Sequence, residues 1–140
     1  MSSGHPANPR AFILVVDDEP WVLNTVCSIL KHSGYEVLSA GSPEEALRKA
    51  AQCKARIDLL LCDVILPRLS GPSVAEEVLA LHPEARCLFM AGLPDTPEIL
   101  NRILRRGLPL LAKPFMPETL VNKIEDVLSS GPGKSSAACA

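Results

Sequence analysis

The chain has 140 residues, 47% of them hydrophobic and 21% charged, with a formal net charge of −2. This suffices for one domain with a filled core, and it is too weak a charge for bulk attraction to nucleic acid or to an anionic membrane surface. The apolar runs are only a few residues long, far short of a membrane span, and the opening MSSGHPANPR lacks the apolar centre of a secretory signal.

Residues 1–10, rich in Ser, Gly, Pro and Asn, read as a flexible arm. Residues 11–129 read as the folded domain and 130–140 as a flexible tail. Phe12 to Val16 is a continuous apolar run, the mark of a strand covered on both faces. A helix is expected from about Pro20, with Val22, Val26, Ile29 and Leu30 on one face and Gly34 as its stop. Glu36 to Ala40 reads as a second strand. Ser42-Pro43-Glu44-Glu45 has the form of a capping box with proline at the first helical position, and its helix turns Ala46, Leu47 and Ala50 inward.

A third strand is expected over Ile57 to Cys62, ending at Asp63. Pro67 and Gly71 bound a loop, and Ser73 to Leu81 reads as a helix with Val74, Val78 and Leu81 on its apolar face. Arg86 to Met90 is a fourth strand, Thr96 to Arg106 a helix, Leu108 to Ala112 a fifth strand and Pro117 to Leu128 a last helix burying Leu120, Ile124 and Val127. Five strands alternating with five helices, joined by right-handed crossovers, predict a doubly wound α/β fold with a five-stranded parallel sheet. Ligands in such sheets sit at the carboxyl ends of the strands, near the point where the strand order reverses.

Asp17, Asp18, Asp63 and Lys113 all fall at or just past predicted strand ends. Three carboxylates gathered there need compensation from a divalent cation, from the lysine, or from both. Carboxylates, Mg²⁺ and an ammonium group together make a site for phosphoryl chemistry. Taken singly, Asp17 and Asp18 could be helix-capping acids, Asp63 a turn acid and Lys113 a solvated lysine; their joint placement favours the site. Glu19 reads as a first-turn helix acid, and Trp21 as packing at the helix start. The five cysteines, Cys27, Cys53, Cys62, Cys87 and Cys139, form no C-x-x-C pair and lie apart from His5, His32 and His82. They read as free thiols in a reducing cytoplasm and not as a zinc site.

Val15-Val16-Asp17-Asp18-Glu19, Asp63-Val64-Ile65-Leu66-Pro67 with Gly71, Phe89-Met90-Ala91-Gly92 and Lys113-Pro114-Phe115 together resemble the receiver domain of two-component response regulators. The resemblance spans about residues 11–129 and implies the flavodoxin-like receiver fold. It implies that Asp63 accepts a phosphoryl group from a histidine kinase or a histidine phosphotransfer protein. Asp18 and Asp63 would hold Mg²⁺ directly with the backbone carbonyl of Ile65, and Asp17 through water. Lys113 would pair with Asp63 at rest and with a phosphoryl oxygen afterwards, and a cis peptide is expected before Pro114. Phe89-Met90-Ala91-Gly92 is also similar to receivers attached to hybrid kinases, so both a stand-alone receiver and one cut from a larger protein stay open.

The chain departs from that family at two coupled positions. Receivers normally carry Ser or Thr where Ala91 stands, and often Tyr or Phe where Leu110 stands. The hydroxyl donates to the phosphoryl group and the aromatic swings inward with it. A lost charge-assisted hydrogen bond is worth roughly 1.5–3 kcal/mol, so phosphorylation should bias the active state more weakly unless the backbone N–H of Ala91 or Gly92 takes over. Ile65 and Leu93 stand where the attacking water is flanked in this family, and both are apolar; slow self-dephosphorylation is expected. The helix carrying Leu100 and Leu104 with Arg102, Arg105 and Arg106 suggests a homodimer or output surface within residues 96–129, although a basic end also suits a solvated helix terminus. The leading function is a signalling phosphoacceptor that is not itself an enzyme, and the second is a phosphate-independent docking module on the same fold. A phosphatase of a related aspartyl-nucleophile class would need an acid where Ile65 stands.

Overall fold

The computed structural model describes residues 11–92 and 97–129. Its elements alternate: β1 (Phe12–Val16), α1 (Pro20–His32), β2 (Glu36–Ala40), α2 (Pro43–Gln52), β3 (Leu59–Asp63), α3 (Gly71–Leu81), β4 (Arg86–Ala91), α4 (Pro97–Arg105), β5 (Leu110–Ala112) and α5 (Pro117–Ser129). All the strand pairs are parallel, in the order β2-β1-β3-β4-β5. This is the doubly wound five-stranded sheet expected from the alternation. The order reverses at β1, so the crevice for a ligand lies above β1 and β3.

Strand side chains alternate between two cores. Leu14, Val16, Leu60, Cys62, Cys87 and Phe89 face α2, α3 and α4. Ile13, Val15, Leu59, Leu61, Leu88 and Met90 face α1 and α5. With both faces covered, β1 and β3 read as unbroken apolar runs.

Element ends differ from the sequence reading by one or two residues, with identifiable causes. β5 begins at Leu110 because the Leu108 N–H is already committed to the Ile103 carbonyl, in a helix-ending motif that places Gly107 at φ +69°. α1 ends in the same way, with Gly34 at φ +96° and the Tyr35 N–H on the Leu30 carbonyl. α3 starts two residues early because Ser70 serves as its cap, accepting from the Ser73 N–H at 3.3 Å, and Pro72 is tolerated in the first turn. β4 runs one residue further, to Ala91. In α2 the Ser42 hydroxyl accepts from the Glu45 N–H as expected, but the Glu45 carboxylate reaches the Gly41 N–H and not that of Ser42.

The helix faces are largely as expected. Val26 and Leu30, Ala46 and Ala50, Val74 and Val78, and Leu120, Ile124 and Val127 are buried. Leu81 is a correction, since it stands half-exposed at the end of α3. On α4, Ile103 is buried and Leu104 exposed; Thr96 and the side chains of Ile99 and Leu100 lie outside the described residues. Cys27, Cys62 and Cys87 are buried and Cys53 half-buried, all as free thiols; Cys139 and His5 lie outside the described residues. Among the described residues no helix is long and apolar enough to cross a membrane.

Candidate functional site

Strand ends deliver the site. β1 hands over to Asp17, which is fully buried, and to Asp18, which is exposed. β3 ends in Asp63, only 7% exposed. Carboxylate oxygens from these three acids lie within 4.8 Å of one another. A set of hard oxygen donors at that spacing fits a small divalent cation such as Mg²⁺.

Lys113 closes the group. It follows β5 at the sheet edge, where its N–H donates to the Ala91 carbonyl at 2.8 Å. Its Nζ donates to Asp63 Oδ2 at 2.8 Å and to Asp17 Oδ2 at 2.9 Å. The Lys113-Pro114 peptide is cis, as expected. The other oxygens of Asp17 and Asp63 take backbone donors. Asp17 Oδ1 accepts from the Glu19 N–H at 2.9 Å, and Asp63 Oδ1 from the Ile65 N–H at 3.0 Å. Asp17 thus braces the turn into α1, while Glu19 sits at the N-cap position without a side-chain capping bond.

The electrostatics follow from burial and crowding. Burial pushes the Asp63 carboxyl up to about 6, against the opposing pull of the Lys113 ammonium and the Ile65 N–H. Burial works to lower Lys113, but its bonds to Asp63 and Asp17 outweigh this and hold it above its ordinary value. Burial, then the negative charge of Asp63 and Asp17, push the Cys62 thiol well up, so this cysteine beneath the acids is inert.

The other predicted positions surround this centre. Ala91 is buried at the end of β4, in register with Ala112, and brings no hydroxyl. Gly92 is half-buried beside Lys113. Leu110 is half-buried opposite Phe89 and packs against the core on the α2–α4 side. Ile65 is 37% exposed at the rim. Leu93 lies outside the described residues.

Three features were not anticipated. Trp21 does not pack at the helix start; it is 77% exposed. With Val22, Thr25, Gly92, Lys113 and Phe115 it lines a cleft of about 430 Å³. Gly71 is the second: a Cβ there would meet the Asp63 carbonyl oxygen at 2.3 Å, so only glycine lets α3 start against the end of β3. The Arg68–Glu44 ion pair, at 2.7 Å, is the third. Neither Trp21 nor Arg68 had a sequence signal, because exposure and pairing across 24 residues are tertiary facts.

A five-stranded 2-1-3-4-5 sheet with this acid–lysine centre defines a class of α/β signalling domain. Residues 13–125 match the family model of the response regulator receiver domain, and the chain belongs to that family. It is a receiver domain of two-component signalling. It is 34% identical over 121 residues to the alkaline phosphatase synthesis transcriptional regulatory protein PhoP of Bacillus subtilis, covering 83% of this chain and 48% of that protein. It is 28% identical to the sensor kinase CckA of Brucella abortus, over 84% of this chain but 12% of the kinase. The chain therefore spans half or less of the length of these curated relatives. A CheY-like receiver from Methanospirillum hungatei superposes with a TM-score of 0.74 at 30% identity, covering 84% of this chain and 93% of that one. The receiver domain of the hybrid histidine kinase CckA gives 0.70 at 32% identity, covering 84% and 99%.

Proposed function

We propose that this domain, over residues 11–129, is a cytoplasmic phosphoacceptor that takes a phosphoryl group from a histidine kinase or a histidine phosphotransfer protein onto Asp63. The observation that carries this is the double reach of Lys113 onto Asp17 and Asp63, at 2.9 and 2.8 Å, within a cluster of three acids. An oxygen of the Asp63 carboxylate attacks phosphorus. A P–O bond forms as the P–N bond of the phosphohistidine breaks, and the imidazole nitrogen leaves with the electron pair and takes up a proton. Lys113 would exchange Asp63 for a phosphoryl oxygen. Asp18, Asp63 and the Ile65 carbonyl would hold Mg²⁺ directly, and Asp17 through water. Bound there, the ion supplies charge compensation to the phosphoryl oxygens.

The switch is weakened. Ala91 offers no hydroxyl, so a replacement donor on that side would have to be the backbone N–H of Ala91 or Gly92. Leu110 lacks the ring that would follow a moving hydroxyl. The segment 96–129, with exposed Leu104, is the proposed surface for an output protein or a second copy. The reading carries no nucleic-acid or membrane role, and no enzymatic activity beyond self-dephosphorylation.

The test is exposure of the purified protein to a small phosphodonor with Mg²⁺, read by intact mass. A gain of one phosphoryl group, lost in Asp63→Asn, is expected. No gain by a folded protein that binds Mg²⁺ would overturn the reading and leave a docking module on the receiver fold.

A further inference from the structure

Arg68 is the one non-glycine residue with positive φ among the described residues, at 70°. It lies at the tip of the loop between Asp63 and α3. The Leu69 N–H donates to the Pro67 carbonyl at 2.8 Å, so Arg68 is the central residue of a three-residue turn. A turn of that length with positive central φ is the rare and strained form. Strain of this sort persists only where the surroundings hold it in place.

The holding contact is visible. Arg68 Nε donates to Glu44 Oε2 at 2.9 Å and Nη2 to Oε1 at 2.7 Å, a two-pronged grip of planar groups. Glu44 lies in the first turn of α2, behind the Ser42 cap. The Arg68 hydrogen bond is the chief cause that brings the Glu44 carboxyl down to about 2. The loop's two ends are fixed by backbone bonds, Val64 N–H to the Met90 carbonyl and Gly71 N–H to the Val64 carbonyl. The grip on Glu44 restrains the tip between them. That span carries Ile65, whose N–H holds Asp63 Oδ1.

We infer that Arg68 is a positioning residue: its grip on Glu44 keeps the β3–α3 loop in its strained turn and so keeps the Ile65 backbone set against Asp63. The inference rests on the phosphoacceptor reading, since the Ile65 carbonyl is there a cation ligand. Phosphoryl transfer depends on placement more than on covalent help from the protein, so a slack loop costs affinity for the ion and rate. An exposed ion pair ordinarily contributes little. This one bridges two elements and opposes a strained backbone, which gives it a task that an isolated surface pair lacks.

The test compares Arg68→Ala, Arg68→Gly, Glu44→Gln and the Arg68→Gly/Glu44→Gln double variant with the parent. Amide exchange at Ile65 and Leu69, Mg²⁺ affinity by titration calorimetry, and the phosphorylation rate at subsaturating Mg²⁺ are read. Arg68→Ala and Glu44→Gln should speed exchange at both amides and weaken Mg²⁺ binding by about two- to fivefold. Arg68→Gly should recover part of the alanine loss, because glycine takes positive φ without strain. Glu44→Gln should add nothing in the Arg68→Gly background. Alanine behaving as the parent, or Glu44→Gln being equally harmful without Arg68, overturns the inference. A parent that neither binds Mg²⁺ nor accepts phosphate refutes the phosphoacceptor reading instead, and amide exchange then judges the grip on its own.

Discussion

Asp63 carries opposing demands, a buried carboxylate beside two other acids with a single ammonium in contact. Its carboxyl, raised from 3.8 to about 6 in the metal-free fold, binds protons more tightly folded than unfolded. Its contribution to stability is therefore full below about 3.8 and is lost as the pH rises through about 6. Metal-free Asp63→Asn should consequently be more stable than the parent at pH 7, with the gap closing towards pH 4. Mg²⁺ should raise the Tm of the parent more than that of the variant; denaturation scans across pH, with and without the ion, check both. Ile65 sets a second expectation. It is exposed at the rim with no group that could orient a water. Ile65→Asn should shorten the life of the phosphorylated form by about fivefold, the worth of one hydrogen bond to the attacking water, as followed by loss of the phosphoryl mass. The acids and Lys113 were legible because a charged residue closing an apolar run is a local pattern. Arg68 was not, since neither its φ nor its partner is written in its neighbours.

At the level of elements, most boundaries came from local chemistry. Ser42 before Pro43-Glu44-Glu45 announced α2, and Gly34 ended α1. The errors arose where a residue had two uses. Leu108 reads as the start of a strand, but its N–H closes the helix before it. Ser70 reads as loop, yet it caps α3. Leu81 fits a helical apolar stripe, but it stands half-exposed as the last residue of α3. Gly71 gives the sharpest test at this scale. A methyl group there would fall 2.3 Å from the Asp63 carbonyl oxygen and 2.9 Å from the Val64 Cα, both of them backbone atoms. Gly71→Ala should cost about 2–3 kcal/mol in urea unfolding, because α3 has to shift outward. It should also lower the phosphorylation rate, since the shift starts beside Asp63, the proposed phosphoacceptor.

Across the whole molecule, the question is how a phosphoryl group on Asp63 would reach the α4–β5–α5 side. Ala91 and Leu110 sit on adjacent strands, and neither carries a hydroxyl or an aromatic ring. Ala91→Thr should restore a donor and strengthen the response of residues 97–129 to phosphorylation by roughly 10- to 150-fold in equilibrium constant. Comparison of NMR shift changes on phosphorylation in parent and variant checks this, and equal changes would sink it. The fold class was legible from the alternation of periods and the buried, unbroken runs of β1 and β3, whereas the order β2-β1-β3-β4-β5 is a tertiary fact. The cleft under Trp21 was not, because it forms only where α1 meets the segment after β5.

Lys113 lies 96 residues after Asp17 and 50 after Asp63. It is also the residue that follows β5. A chain leaving the ribosome holds its three acids long before it holds their counter-charge. During that interval β1 and β3 lack the contact that closes the site across them. A product truncated before residue 113 carries the three acids without the ammonium that bridges Asp17 and Asp63.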